Sequence, residues 1–136
     1  MVVPKYISHI RKDADGNIVA YQSNEEHSRG VAEFAKQFAS EFGMDDFGYV
    51  MGILHDKGKE KSEFQEYIKD VNGIPNHKRW SRDGKSHAYV GGLLAKDLVP
   101  MVAPLIENPI MGHHRGLYDY VDLETEEQRS IPEEVI

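Results

Sequence analysis

Five of the seven histidines stand at spacings that could build one metal site: His27, then His55 with Asp56 beside it, then His87, then the pair His113-His114. The centre is Gly-Ile-Leu-His-Asp-Lys-Gly-Lys, residues 52–59, where an imidazole and a carboxylate sit side by side as an apolar segment ends. Mixed imidazole and carboxylate ligands suit one or two divalent ions of manganese, iron, cobalt, nickel or zinc better than magnesium alone, with magnesium left open. A carboxylate has two oxygens, so Asp56 could bridge two ions. Neighbouring helical residues point about 100° apart, so His55 and Asp56 converge on one cation only where a helix unwinds at its C-terminus. Lys59, four residues after His55, is near enough to hold a phosphate on that cation. The chemistry to expect is metal-dependent hydrolysis of a phosphate ester.

Each residue also has a plainer reading. A histidine at a helix C-terminus is favoured by the helix dipole, and a lone inward His27 would be a hydrogen-bonded core residue. His87 alone would be a polar residue at a helix start. Two adjacent imidazoles cannot both enter an apolar core without polar partners, and a shared cation solves that for His113-His114. His9 reads as a surface or cross-strand residue and His77 as a loop residue. Trp80, between basic residues, could stack on a base or anchor its loop on the core.

The elements that would carry these residues follow from local pattern. Residues 6–22 predict a β-hairpin turning at Asp15-Gly16. Ser23 and Glu26 form a capping box for a helix running to about Phe42 and ended by Gly43. Its expected apolar stripe is Val31, Phe34, Ala35, Phe38 and Phe42, with His27 on the same face; Phe34, Phe38, Phe42 and Leu54 are expected in the core. A second helix from Asp45 or Asp46 reaches His55-Asp56 and stops at Gly58. A third spans 61–71, with Phe64, Tyr67, Ile68 and Val71 on one face. Ser86 is placed to cap a fourth helix through Leu98, stopped by Pro100. Asn108-Pro109 reads as cap and first residue of a short helix ending at His113-His114. The fold class is all-α: a bundle of about five helices with a small N-terminal hairpin.

A chain of 136 residues is long enough for one domain with a core. It has no cysteine, which excludes a disulfide scaffold and thiolate metal sites and fits a reducing, cytoplasmic setting. The longest apolar run, Leu98 to Ile106, holds two prolines and is far short of the roughly 20 residues of a membrane span, so no membrane partner is expected. Net charge is −7. Residues 119–136 carry seven acids and one Arg, accounting for −6, and are expected as a mobile acidic tail. Residues 57–85 hold eight bases and five acids, a local +3 that would suit a phosphodiester backbone or would simply be a solvated face.

In order and spacing these motifs resemble the HD metal-dependent phosphohydrolases, and more narrowly the HD nuclease of type I CRISPR systems. His55-Asp56-Lys57-Gly58-Lys59 followed by Phe64-Gln65, His87-x-x-x-Gly91, and His113-His114-x-Gly116-Leu117 carry the narrower likeness. Ala88 stands where that family has Ser, and Arg115 where it has Gly. The resemblance runs from about His27 to Leu117 and implies an HD-domain bundle. It implies one ion on His27, His55, Asp56 and a late Asp, and a second on Asp56, His87, His113 and His114. Asp56 and Lys59 would be catalytic, with Lys59 and Arg115 meeting the substrate. Asp119 and Asp122 lie too close to the His-His element to serve as the late Asp, and only 22 residues follow His114, so a C-terminally truncated domain is expected. The implied partners are single-stranded DNA, a helicase domain or subunit, and the CRISPR interference complex. Two alternatives stay open: an HD phosphodiesterase or nucleotidase for a cyclic dinucleotide or nucleotide, and an inactive metal-binding docking module.

Overall fold

The computed structural model describes residues 1–75, 78–118 and 120–135; His77 and Asp119 lie outside the described residues. The chain opens with an antiparallel hairpin, β1 (Ile7–Lys12) and β2 (Ile18–Ser23), turned at Gly16 with φ +84°. The Ser23 hydroxyl accepts from the Glu26 backbone at 3.1 Å while Glu26 accepts from the Ser23 N–H, completing the capping box of α1 (Asn24–Ser40). Then follow α2 (Asp45–Leu54), a 3₁₀ turn (Lys57–Glu60), α3 (Ser62–Val71), α4 (Ala88–Leu98), α5 (Ala103–Gly112) and α6 (Tyr120–Glu127). A last 3₁₀ turn spans Glu133–Val135. The protein is a mostly helical bundle with a small N-terminal hairpin, as its pattern predicts, and no described helix is long and apolar enough to cross a membrane.

Helix α1 does not bury the stripe its aromatic residues suggest. Phe34, Phe38 and Phe42 are 65%, 70% and 81% exposed, whereas Ala32 is fully buried. The reason lies across the interface. A Cβ on Gly52 of α2 would strike the Ala32 backbone, and one on Gly48 would strike the Ala35 carbonyl. The two helices therefore meet at near backbone contact, through small residues, and bulky rings have no room on that face. Val71, at the end of the apolar face of α3, is likewise half exposed.

The main core joins Leu54, Ala95, Ile106 and Ile110 from α2, α4 and α5. A second cluster packs Tyr89, Val90 and Leu93 of α4 on Met111 and Val135. Val135 belongs to the segment expected as a mobile tail. Within that segment Arg129 pairs with Asp83 at 3.1 Å, Glu127 with Lys96 at 2.6 Å, and Glu134 accepts from Ser62. The third cluster, Ile7, Phe64 and Ile68, fastens the hairpin to α3.

Two helix boundaries also differ from expectation. Helix α5 begins earlier than Asn108, at Ala103 with Pro104 in its first turn, and Pro109 lies inside it. Asn108 is therefore not a cap; its side chain holds the Tyr118 backbone at 2.7 and 2.9 Å. Ser86 makes no cap for α4, which starts from His87.

Candidate metal centre

Helix α2 ends at Leu54, and the chain turns through His55 and Asp56 into the 3₁₀ turn. Gly58 does not stop the helix by a left-handed angle. It permits contact: a Cβ there would strike the His87 carbonyl, so the His-Asp turn and the start of α4 touch backbone to backbone. His113 and His114 follow the end of α5, in a loop closed by Gly116 (φ +101°), whose N–H donates to the Gly112 carbonyl at 2.7 Å. Asn108 clamps the far side of that loop at Tyr118. His27 comes from the N-terminal part of α1. Four separate segments thus deliver imidazoles to one carboxylate.

Asp56 is 3% exposed, and its two oxygens are divided between two sets of groups. Oδ2 faces His27 Nε2 at 3.0 Å, His55 Nε2 at 3.2 Å and the Lys59 ammonium at 3.0 Å. Oδ1 faces His87 Nε2 at 3.3 Å and His113 Nε2 at 3.1 Å. His114 Nε2 lies 3.0 Å from His87 Nε2. Two groups result, His27-His55-Asp56 and Asp56-His87-His113-His114, each with ligand atoms within 4.8 Å of one another.

The donor chemistry fits a cation. His55 Nδ1 and His113 Nδ1 each donate to a backbone carbonyl at 2.6 Å, on Gly52 and Ile110. Those bonds fix the tautomer, so in the neutral ring only a lone pair remains on Nε2. That lone pair points at a carboxylate oxygen. Two acceptors at such distances repel unless a proton or a metal ion lies between them. Adjacent ligands of an octahedral ion, each about 2.1 Å from it, stand about 3 Å apart, which matches the spacings around Asp56. Burial, the largest influence on Asp56, would raise its pKa. Hydrogen bonds from His113, His55 and His87 together outweigh it and hold the carboxyl well below the usual range, so it stays ionised.

The surroundings assign structural work to several motif residues. Gln65 accepts from the Ile7 N–H at 2.8 Å and donates to the Ile7 and Lys59 carbonyls at 2.9 and 2.7 Å, tying β1 to the 3₁₀ turn. Phe64 packs its ring edge-on to His87, 4.8 Å between centroids. Asn24 donates to the Asp56 carbonyl at 3.1 Å. Lys59 is held from two sides. Its side chain is only 7% exposed, and besides Asp56 it donates to the Ser8 hydroxyl at 3.1 Å. Its ammonium thus lies beside the carboxylate, 3.0 Å from Oδ2. Arg115 is exposed at the rim, its guanidinium 4.0 Å from the Tyr118 ring centroid.

The basic stretch 57–85 is mostly engaged. Lys57 pairs with Glu60, Lys61 donates to the Ser86 carbonyl, and Lys85 lies over the Tyr67 and Trp80 rings. Lys78, Arg79 and Arg82 lie exposed on the loop between α3 and α4. Trp80 donates to Asp70 at 2.9 Å and packs on Tyr67, so it anchors that loop. One site neighbour escaped the sequence pattern. His9, on the hairpin, sets its ring 4.7 Å from that of His27. Only the alternation of β1 spoke about His9, and a register shift breaks that alternation.

No curated protein sequence matches the chain significantly. Residues 24–136 match the HD domain, a stretch that contains every member of the two groups around Asp56, and such domains bind divalent metals and imply metal-dependent phosphohydrolase activity. With most of its length inside that match, the chain belongs to the HD domain family.

Proposed function

We propose that the protein hydrolyses phosphodiester bonds of single-stranded DNA at a two-ion centre, acting beside a helicase domain or subunit in CRISPR interference. The hydrolytic part of this reading is carried by the division of Asp56, with one oxygen turned to each imidazole group. His27 and His55 would hold one ion, and His87, His113 and His114 the other. A bound pair of divalent ions supplies Lewis acidity and water activation for phosphodiester hydrolysis. The chain's own contribution is to keep the Nε2 lone pairs aimed inward through Nδ1 bonds and to hold Asp56 ionised. It also leaves His114 and Arg115 exposed at the mouth. The nucleic-acid part is supported by the His-Asp-x-Gly-Lys…Phe-Gln and His-His-x-Gly-Leu motifs and by the cations of the 78–82 loop.

The test is turnover of a single-stranded DNA oligonucleotide by the full chain with manganese, beside Asp56→Ala. Metal-dependent cutting that the variant loses, and that added salt weakens through DNA binding, is the expected result. Hydrolysis of a cyclic dinucleotide with DNA left intact would favour the phosphodiesterase alternative. Bound manganese with neither substrate cut would leave the docking module.

A further inference from the structure

The two groups that share Asp56 are unequal. Among the described residues one has three imidazoles besides the carboxylate, whereas the other has only His27 and His55. The hairpin stands over the smaller group. In β1 both Ile7 and Ser8 are buried, at 0% and 2% exposed, although successive strand residues normally face opposite sides. A register shift between Ile7 and His9 explains this: Ile7 pairs with Ser23, and His9 with Gln22. Bulges of this kind re-aim a side chain and concentrate beside active sites.

Here the shifted register has three consequences. Ile7 enters the core, Ser8 takes the Lys59 ammonium at 3.1 Å, and His9 lands against His27. Gln65 clamps Ile7 from both its N–H and its carbonyl, so this placement is held firmly. The 4.7 Å between the His9 and His27 rings falls in the range spanned by candidate ligand pairs: 5.3 Å for His27 and His55, 4.8 Å for His87 and His114, and 4.0 Å for His113 and His114. His9 stands outside the group that lies within 4.8 Å, so its ring must turn to ligate, and its exposure leaves it room to do so.

We infer that His9 is a further ligand for the ion held by His27, His55 and Asp56, supplied from outside the bundle by the bulged hairpin strand. This rests on the two-ion reading of the centre and adds a residue to it. The consequence is that the hairpin belongs to the metal centre, and ion binding at the smaller group should tighten the hairpin against α1.

The experiment is calorimetric titration of the full chain with manganese, comparing wild type, His9→Ala and His9→Phe, with the electron paramagnetic resonance of bound manganese as a second readout. His9→Phe keeps a ring packed on His27 and removes the ligating nitrogens. Wild type should take two ions. Both variants should weaken one of them by at least about tenfold, the loss that removal of even an outer partner causes, and leave the other unchanged. His114→Ala should weaken the opposite ion. If His9→Phe binds both ions as wild type does, His9 is no ligand, whereas the two-ion centre stands. If wild type binds no manganese, the centre and the role of His9 fall together. Equal melting temperatures of the three proteins in chelator would show that folding is not the cause of any loss.

Discussion

Asp56 meets four imidazoles and an ammonium through two oxygens, and its burial makes that arrangement costly unless every contact is charged or metal-mediated. The surrounding histidines differ in how they titrate. Burial opposes the charged form of His113, but the Asp56 carboxylate and the Ile110 carbonyl outweigh it and raise its pKa. His27 is lowered, first by burial and then by the Lys59 charge; His114 is lowered by burial and by His113 and His87. Metal must displace a proton from a protonated imidazole. Manganese bound at the group containing His113 should therefore be lost first as pH falls, and the His27 group should persist to lower pH. Titrations at several pH values from mildly alkaline to mildly acid check this; parallel loss at both groups would contradict it. In the metal-free protein the sign runs the other way. The raised His113 contributes stability that is complete below the unfolded value near 6.5 and is lost as pH rises through the folded one. Lys59 offers a separate test. A lysine that only met substrate could be removed without touching the fold. Lys59→Met leaves Asp56 and Ser8 without their buried partner and should cost about 2–4 kcal/mol in chelator, read as a lower melting temperature.

At the scale of elements, the α1–α2 contact and the bulged strand decide how the centre is built. The glycine face of α2 against the alanines of α1 sets the distance between His27 and His55. Gly52→Val would drive a branched side chain into the Ala32 backbone and should destabilise the protein by about 3 kcal/mol or more. Phe38→Ser, on the exposed stripe of the same α1, should change stability by no more than about 0.5 kcal/mol. Denaturant melts of the two variants measure both. A large loss for Phe38→Ser would return the aromatic stripe to the core.

Across the whole molecule, the segment after residue 119 closes the bundle against α4 and α5. It brings Glu127 to Glu107, whose side chain is buried, 3% exposed as a residue. Burial first, then the hydrogen bond and charge of Glu127, push Glu107 up to about 7, with Lys96 opposing. Lys96 in turn holds Glu127 low. A carboxyl raised from 4.5 in this way supports folding below the unfolded value and loses that contribution as pH climbs through about 7. Glu107→Gln should accordingly raise the melting temperature at about pH 8 by roughly 3–4 °C, about 1 kcal/mol for a chain of this size, and change little at about pH 5. Thermal melts at the two pH values decide it; an equal shift at both would assign the effect to packing.

Local features were legible in the sequence because covalent neighbours determine them. The turn at Asp15-Gly16 needs a positive backbone angle, the Ser23–Glu26 box closes within one helical turn, and the His-Asp and His-His elements occupy element ends as their spacing implies. The likeness that singled out His27, His55, Asp56, His87, His113 and His114 rested on the same kind of information, and the structure gathers all six. Other features depended on what lies across space. Helical periodicity finds an apolar stripe but not which side a neighbour covers, so the small face of α1 was buried and Phe34, Phe38 and Phe42 were not. Composition marked the segment after residue 119 as acidic, but not that Val135 would meet the α4 cluster or that Arg129, Glu127 and Glu134 would meet Asp83, Lys96 and Ser62. The surroundings of Lys59 and His9 were not legible in the sequence for the same reason. Each is decided by a contact distant in the chain, Ser8 for one and His27 for the other, and only the packed bundle brings those partners together.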